Sequence, residues 1–256
     1  MGTIHINLAE AAIFLSIFLR LSIILFMLPI FKSVNMASHV KVLTVFALAL
    51  MLFPFIRQNV QPLPVDPGSL VMIIVGEVLF GIVFSLSMVL VLAAFEMAGE
   101  LVSFEMGFGF AQVADPQTGV ESSLLSVWAQ LLALMVFFAM NWHLVLLRLI
   151  VESYTTIPMG AFSVDAALFE KILTLSGLLF VLALKISAPI VAVLMLIQLG
   201  MGLMSKFAPQ INILTTSFPI TISLGILFMG FTTLMWGDMA RRYFTDFFHF
   251  VSNLPK

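Results

Sequence analysis

The chain has 256 residues, of which 62% are hydrophobic and 9% are charged, and its formal net charge is −2. A soluble domain carries about a quarter charged residues, so this chain has more apolar surface than one core of its size can bury, and lipid or partner proteins must cover the rest. The absence of a basic patch argues against nucleic-acid binding. The absence of cysteine excludes disulfides, thiolate metal sites and cysteine nucleophiles.

Six long apolar stretches follow one another along the chain. They run from Leu8 to Phe31, Val42 to Ile56, Leu70 to Phe95, Leu124 to Leu147, Ile172 to Leu203 and Ile211 to Trp236. Most reach the ~20 residues that a membrane-spanning helix needs, although the second is short. The stretches are continuous and lack the alternation of barrel strands, which predicts an all-α integral membrane protein with about six long helices.

The links between these stretches contain residues that favour turns. Three prolines and a glycine between Gln61 and Gly68 predict a loop, and Pro158-Met159-Gly160 predicts a turn. Ser163 followed by Asp165 predicts the cap of a short helix that leads to Lys171.

The tail, Asp238 to Asn253, has an amphipathic pattern. One side carries Phe244, Phe247, Phe248 and Val251, and the other carries Arg241, Arg242, Asp246, His249 and Ser252. Such a helix fits a membrane surface, a partner protein or packing against the rest of the chain.

The segment from Glu96 to Glu121 contains five acidic residues and no lysine or arginine. At its centre, large apolar side chains alternate with glycines, which is unusual for an exposed loop and unfavourable for a helix. Irregular backbone at membrane depth is tolerated where protein buries it or where it lines a cavity. The segment is therefore expected to plug a channel, to pack against partner subunits or to form a buried connector.

Arg20, Glu77 and Lys185 each interrupt an apolar stretch, where a charge is costly. They are candidates for a proton or ion relay, or for structural pairing such as a Glu77–Lys185 ion pair. Glu96 and Glu100 share a helix face and predict either a wet, negative vestibule or a solvated helix end.

Nothing in the sequence indicates catalysis. The four histidines lack metal-ligand spacing, no serine lies in a Gly-x-Ser-x-Gly motif, and the Gly-x-Gly lacks the context of a phosphate loop. No catalytic, cofactor-binding or metal-binding residue is predicted. A small-molecule or ion secondary transporter is the alternative function, although the two halves show no clear repeat.

Three stretches resemble the FliR family of flagellar export-gate proteins, called SctT in injectisomes. The first runs from Glu100 to Ala111 and ends in Asp115-Pro116, the second from Asn141 to Gly160, and the third from Met204 to Asn212 with Phe218-Pro219 after it. Length and segment pattern also agree, so the resemblance covers residues 1–256 as a single export-gate domain.

The resemblance implies a non-enzymatic subunit in the bacterial inner membrane, within the flagellar basal body. It implies one copy of the chain in a closed core with FliP and FliQ, FlhB at the cytoplasmic mouth, and passage of unfolded flagellar proteins through the centre. It also implies helices bent into hairpins, in keeping with Pro189 and Pro219 inside two of the stretches.

In this family the link between the third and fourth stretches is the channel plug, which corresponds here to residues 105–119. The implied plug residues are Met106, Gly107, Phe108, Gly109, Phe110, Gln112, Val113, Asp115 and Pro116.

Overall fold

The structure is a computed structural model that describes residues 8–29, 31, 37–58, 60, 66–108, 123–208, 210 and 212–252. Within these residues the chain forms seven helices and no strand. They are α1 (Leu8–Met27), α2 (Ser38–Arg57), α3 (Pro67–Met106), α4 (Leu124–Ala139), α5 (Trp142–Thr156), α6 (Ala166–Phe207) and α7 (Ile213–Ser252).

Five of these helices are long and apolar enough to cross a membrane, namely α1, α2, α3, α6 and α7. The pair α4 and α5, bent by 69°, makes a sixth candidate if it is counted as one span. The prediction of an all-α integral membrane protein with about six long apolar helices is therefore confirmed.

Several predicted boundaries are wrong, and polar residues at the helix ends explain most of the errors. Helix α2 has 20 residues and is not short. Its first turn contains the polar residues His39 and Lys41, which lie outside the apolar stretch that the sequence shows. Helix α3 continues past Phe95 to Met106 and has 40 residues. Helix α6 has 42 residues, so the cap before Lys171 starts a long helix rather than a short one.

The fourth predicted stretch is broken where hydropathy is continuous. Helix α4 ends at Ala139, and α5 begins at Trp142. Between them Asn141 has a φ of 58°, in the left-handed region that asparagine tolerates better than most residues. The Asn141 carbonyl then accepts a hydrogen bond from Leu144 at 3.0 Å, which starts α5 in a new direction.

Side-chain caps start α3 and α6. The Asp66 carboxylate accepts hydrogen bonds from the backbone N–H groups of Gly68 and Ser69, and Pro67 occupies the first helical position, where its missing N–H costs nothing. The Asp165 carboxylate accepts a hydrogen bond from the Leu168 N–H at 2.7 Å. The predicted turn at Pro158-Met159-Gly160 is present, with Gly160 at a φ of 70°.

The chain forms two compact units, each built from separate parts of the sequence. Unit 1 comprises Met1–Val89, Asn141–Leu175 and Thr245–Lys256, and unit 2 comprises Leu90–Met140 and Ser176–Phe244. In unit 1, α1 packs against α2 through Phe14, whose ring lies 5.4 Å from that of Phe46. The buried core of unit 1 includes Ile17, Leu21, Phe84 and Ile150.

The core of unit 2 is largely aromatic where α3, α4 and α7 meet. The Trp236 ring lies 6.4 Å from Phe95 and 6.1 Å from Trp128, and Phe137 lies 5.5 Å from Phe244. Gly99 lets α3 and α4 approach closely, because a Cβ there would lie 2.6 Å from the Leu125 carbonyl oxygen.

The tail is the continuous C-terminal part of α7, not a separate helix. Its apolar side packs against the chain itself. In unit 2, Phe244 contacts Phe137, and in unit 1 the Phe247 ring lies 6.2 Å from Phe84. Arg241, Arg242 and Asp246 are exposed on the other side. The burial of Phe244 and Phe247 thus accounts for two of the apolar positions in the amphipathic pattern.

Candidate functional site

Arg20 of α1 and Glu77 of α3 form a buried ion pair in unit 1. Their side chains are only 1% and 0% exposed. The guanidinium binds the carboxylate with two nitrogens: Nε contacts Oε2, and Nη2 donates to Oε1 at 3.0 Å. This bidentate geometry is the strongest form of an arginine–carboxylate interaction.

Four further side chains complete what we call the Arg20 cluster: Ser16, Phe80, Ser153 and Tyr154. The Arg20 Nη1 donates to Ser153 Oγ at 2.6 Å, and the Ser16 hydroxyl donates to Glu77 Oε1 at 2.8 Å. Since the Ser16 hydroxyl has one proton, the Tyr154 hydroxyl, 3.3 Å away, is the donor to Ser16.

Aromatic rings enclose the Arg20 charge. The guanidinium carbon lies 4.2 Å from the centre of the Phe80 ring and 3.8 Å from that of Tyr154. Cation–π contact of this kind is strongest when water is excluded. The cluster therefore ties α1, α3 and α5 together with every charged group paired.

Glu77 is thus paired with Arg20, and the Glu77–Lys185 pair suggested by the sequence is wrong. The Glu77 oxygens are occupied by Arg20 and Ser16, which α1 brings next to α3. Lys185 lies in unit 2, and its side chain is exposed.

The acidic residues at the C-terminal end of α3 have neutral partners in unit 2. Glu96 accepts a hydrogen bond from Gln130 Nε2 at 2.8 Å, and Glu100 accepts one from the Ser123 backbone N–H at 3.3 Å. Both carboxylates are half-buried beside α4. The segment is helical as far as Met106, so Glu96 and Glu100 share a face of α3, as the sequence predicts.

The first residues of the predicted plug lie at the end of α3. Gly107 follows the last helical residue, Met106, and its φ of 94° ends the helix in a conformation that other residues rarely adopt. The Gly107 N–H donates to the Phe104 carbonyl at 3.0 Å. Phe108 is half-buried.

Helices α6 and α7 hold this end of α3 in place, within unit 2. Gln198 of α6 donates to both the backbone and the carboxylate of Glu105, at 2.9 and 3.0 Å. Thr221 of α7 donates to the Met106 carbonyl at 3.2 Å. The Met106 side chain is fully buried against Gly225, where a Cβ would lie 2.6 Å from the methionine methyl group.

The other predicted plug residues lie outside the described residues. They are Gly109, Phe110, Gln112, Val113, Asp115 and Pro116. The structure thus places the base of the predicted plug, Glu105 to Gly107, against α6 and α7.

The neutral hydrogen-bond partners in the Arg20 cluster and at the end of α3 were not predicted from the sequence. Ser16, Ser153 and Tyr154 read as ordinary helix residues, and so do Gln198 and Thr221. One signal was present in the sequence: Ser16 precedes Arg20 by one helical turn, which places both on one face of α1.

Comparison with known proteins identifies relatives across nearly the whole chain. Residues 11–247 match the family described as bacterial export proteins, family 1. The flagellar biosynthetic protein FliR of Pectobacterium carotovorum is 28% identical over 237 residues, which are 93% of this chain and 90% of the relative.

Two further relatives carry the same name. The protein of Escherichia coli K12 is 26% identical over 226 residues, covering 88% of this chain and 86% of the relative. The protein of Bacillus subtilis 168 is 30% identical over 224 residues, covering 84% of each chain.

Proposed function

The chain belongs to family 1 of the bacterial export proteins, and from that premise we propose that it is a non-enzymatic subunit of the flagellar protein-export gate. It is a membrane-embedded component of the flagellar export apparatus. We further propose that one copy of the whole chain, residues 1–256, joins FliP and FliQ in a closed channel core in the bacterial inner membrane. FlhB lies at the cytoplasmic mouth, and unfolded flagellar proteins pass through the core.

The observation that carries this proposal is the apolar surface that the isolated chain leaves exposed. Few residues are buried in the apolar stretches of three helices: 17% in α2, 22% in α7 and 33% in α6. Helix α6 has 42 residues and is about 63 Å long at ~1.5 Å per residue, twice the ~30 Å hydrocarbon core of a bilayer. Lipid alone cannot cover such a face from end to end, so partner proteins are needed.

The plug is the second part of the proposal. Residues 105–119 seal the closed channel, with Phe108, Phe110 and Val113 as the obstructing side chains and the buried Met106 as part of the anchor. Hydrophobic constrictions close pores by excluding water. The hydrogen bonds from Gln198 and Thr221 to the base of the segment support this role, because a plug needs a fixed anchor.

Purification under native expression tests the proposal. The tagged chain is expressed with its natural partners, extracted in mild detergent and weighed intact by native mass spectrometry. A gate subunit is recovered as one copy with several copies of other small membrane proteins. A secondary transporter, the alternative function, is recovered alone or with copies of itself, and that result would overturn the proposal.

A further inference from the structure

Lys185 stands alone as a charge on a long apolar helix. It lies near the midpoint of the 42-residue helix α6, and no other charged residue occurs between Lys171 and Lys206. Its side chain is exposed, and no carboxylate among the described residues lies within salt-bridge distance of it. This lysine therefore contrasts with Arg20, which is also in an apolar helix but is fully paired inside the chain.

The residues around Lys185 on the same side of α6 are apolar, exposed and partly small. We call this surface the Lys185 face. It consists of Leu178, Val181, Lys185, Ala188, Ala192 and Leu196, spaced three or four residues apart and all exposed. Alanines one turn apart let a second helix approach closely, which is how helices associate in membranes.

Pro189 adds a second polar group to this surface. In an α-helix the N–H of residue 189 would donate to the carbonyl of residue 185, but proline has no N–H. The helical donor for the Lys185 carbonyl is therefore missing. A side-chain ammonium and a backbone carbonyl at the same position both call for polar partners.

Lipid is a poor match for this face. A lysine facing hydrocarbon is costly, so Lys185 is excluded from the middle of a bilayer unless it is paired. If Lys185 instead lies at the lipid headgroups, one apolar half of α6 extends beyond the hydrocarbon, because the helix is about twice as long as the bilayer core is thick. The first placement requires a protein partner for Lys185, and the second requires protein over the half of α6 that leaves the hydrocarbon.

We propose that the Lys185 face docks an apolar helix of a different membrane subunit, which carries an aspartate or glutamate opposite Lys185. The inference rests on the proposed function, since it assumes that the chain works inside a hetero-oligomer. Charge complementarity determines the chemistry of the partner: a carboxylate is the group that pairs a desolvated ammonium. The small residues beside Lys185 allow the two helices to approach closely.

The first test compares charge variants in the full chain, expressed with its natural partners. Lys185→Met and Lys185→Glu are expected to lower the recovery of partner subunits at least about tenfold, with the reversed charge worse. Lys185→Arg is expected to retain most of the recovery. Lys171→Met removes an exposed lysine near the start of the same helix and serves as the matched control. Unchanged recovery with Lys185→Glu overturns the proposal.

A second test does not depend on assembly yield. The photoreactive residue benzoylphenylalanine replaces Val181, one turn from Lys185, in the otherwise unchanged chain within intact cells. Ultraviolet light is expected to join it to a different membrane protein. Adducts only with lipid, or only with a second copy of this chain, overturn the proposal.

The recovery of partner subunits by the wild-type chain distinguishes a failure of the docking proposal from a failure of the proposed function. If the wild-type chain recovers no other membrane subunit, the proposed function itself fails. If the wild-type chain and Lys185→Glu recover the same partners equally well, the gate role survives and only the docking assignment is wrong.

Discussion

The Arg20 guanidinium binds the Glu77 carboxylate through two nitrogens, and both side chains are buried in unit 1. A buried ion pair is costly to break because the remaining charge has no partner and no solvent. Removing both charges is far less costly, since apolar residues can fill the space. This asymmetry makes the role of the pair measurable.

We expect Glu77→Ala to destabilise the protein by about 3–5 kcal/mol, because it leaves Arg20 buried and unpaired. The double variant Arg20→Leu, Glu77→Leu is expected to lose much less than the sum of its single variants. Thermal unfolding of the detergent-solubilised assembly measures both changes. The exposed Arg148–Glu152 pair is the control: breaking it is expected to cost about 0.5 kcal/mol or less. Additive losses from the Arg20 and Glu77 variants would show that the pair is not coupled.

Gly107 provides a test of how α3 ends. Its φ is 94°, and a Cβ there would lie 2.5 Å from the Phe218 ring. Gly107→Ala is therefore expected to destabilise the protein by about 1–3 kcal/mol through backbone strain and overlap with Phe218. The measurement is the unfolding temperature of the assembly.

The matched control for Gly107 is Gly230 of α7, where a Cβ would meet nothing within 4 Å. Gly230→Ala is expected to be neutral or to stabilise the helix by up to about 1 kcal/mol. An unfolding temperature for Gly107→Ala equal to that of Gly230→Ala would contradict the described end of α3.

The predicted plug can be tested by its effect on ions. Deleting residues 107–115 is expected to leave assembly intact but to make the closed channel leaky, because the apolar obstruction is removed. Ion flux into cells that express the assembly measures the leak. A same-length variant with serine in place of Phe108, Phe110 and Val113 is expected to leak as well. Unchanged flux through an intact assembly of the deletion variant would refute the plug assignment.

The Asp66 cap predicts a local pH dependence at the start of α3. The pKa of Asp66 lies below its ordinary value of 3.8, mainly because the Ser69 side chain and then the Ser69 backbone N–H donate hydrogen bonds to the carboxylate. Since the folded pKa is lowered, the cap is fully present above the ordinary pKa and is lost as the pH falls through the lowered one.

Hydrogen exchange at Gly68 and Ser69 measures this effect, after correction for the intrinsic rates. Asp66→Ala is expected to speed exchange at pH 7, and its difference from the wild-type protein is expected to shrink at low pH. Asp66→Asn keeps an uncharged acceptor, so its protection is expected to vary less with pH. Equal pH dependence in the wild-type and Asn variants would contradict the role of the carboxylate.

Hydropathy predicted the helices well but not where they end. The predicted third stretch stops at Phe95 because Glu96, Glu100 and Glu105 follow it, yet each carboxylate has a hydrogen-bond partner that lets α3 continue. The break at Asn141 was not visible because it interrupts an apolar run for only two residues. A hydropathy average over many residues does not detect the backbone conformation of a single residue.

The sequence identified the charged residues of the Arg20 cluster but not the groups that they contact. The cost of charge in an apolar stretch singles out Arg20, Glu77 and Lys185, of which the first two are buried and paired and the third is exposed. Nothing in the sequence indicates which helix lies beside α3. Ser16 was missed because a serine hydroxyl in an apolar helix usually bonds to the backbone of its own helix. Long-range partners of this kind depend on packing, which single-helix patterns do not encode.

A density map of the chain purified with its natural partners is the most direct measurement. We expect one copy of the chain, with partner helices over the exposed faces of α2, α6 and α7, and with the segment after Met106 across a central passage. A solitary chain, stable in detergent and with residues 107–113 facing lipid, would contradict the proposed function.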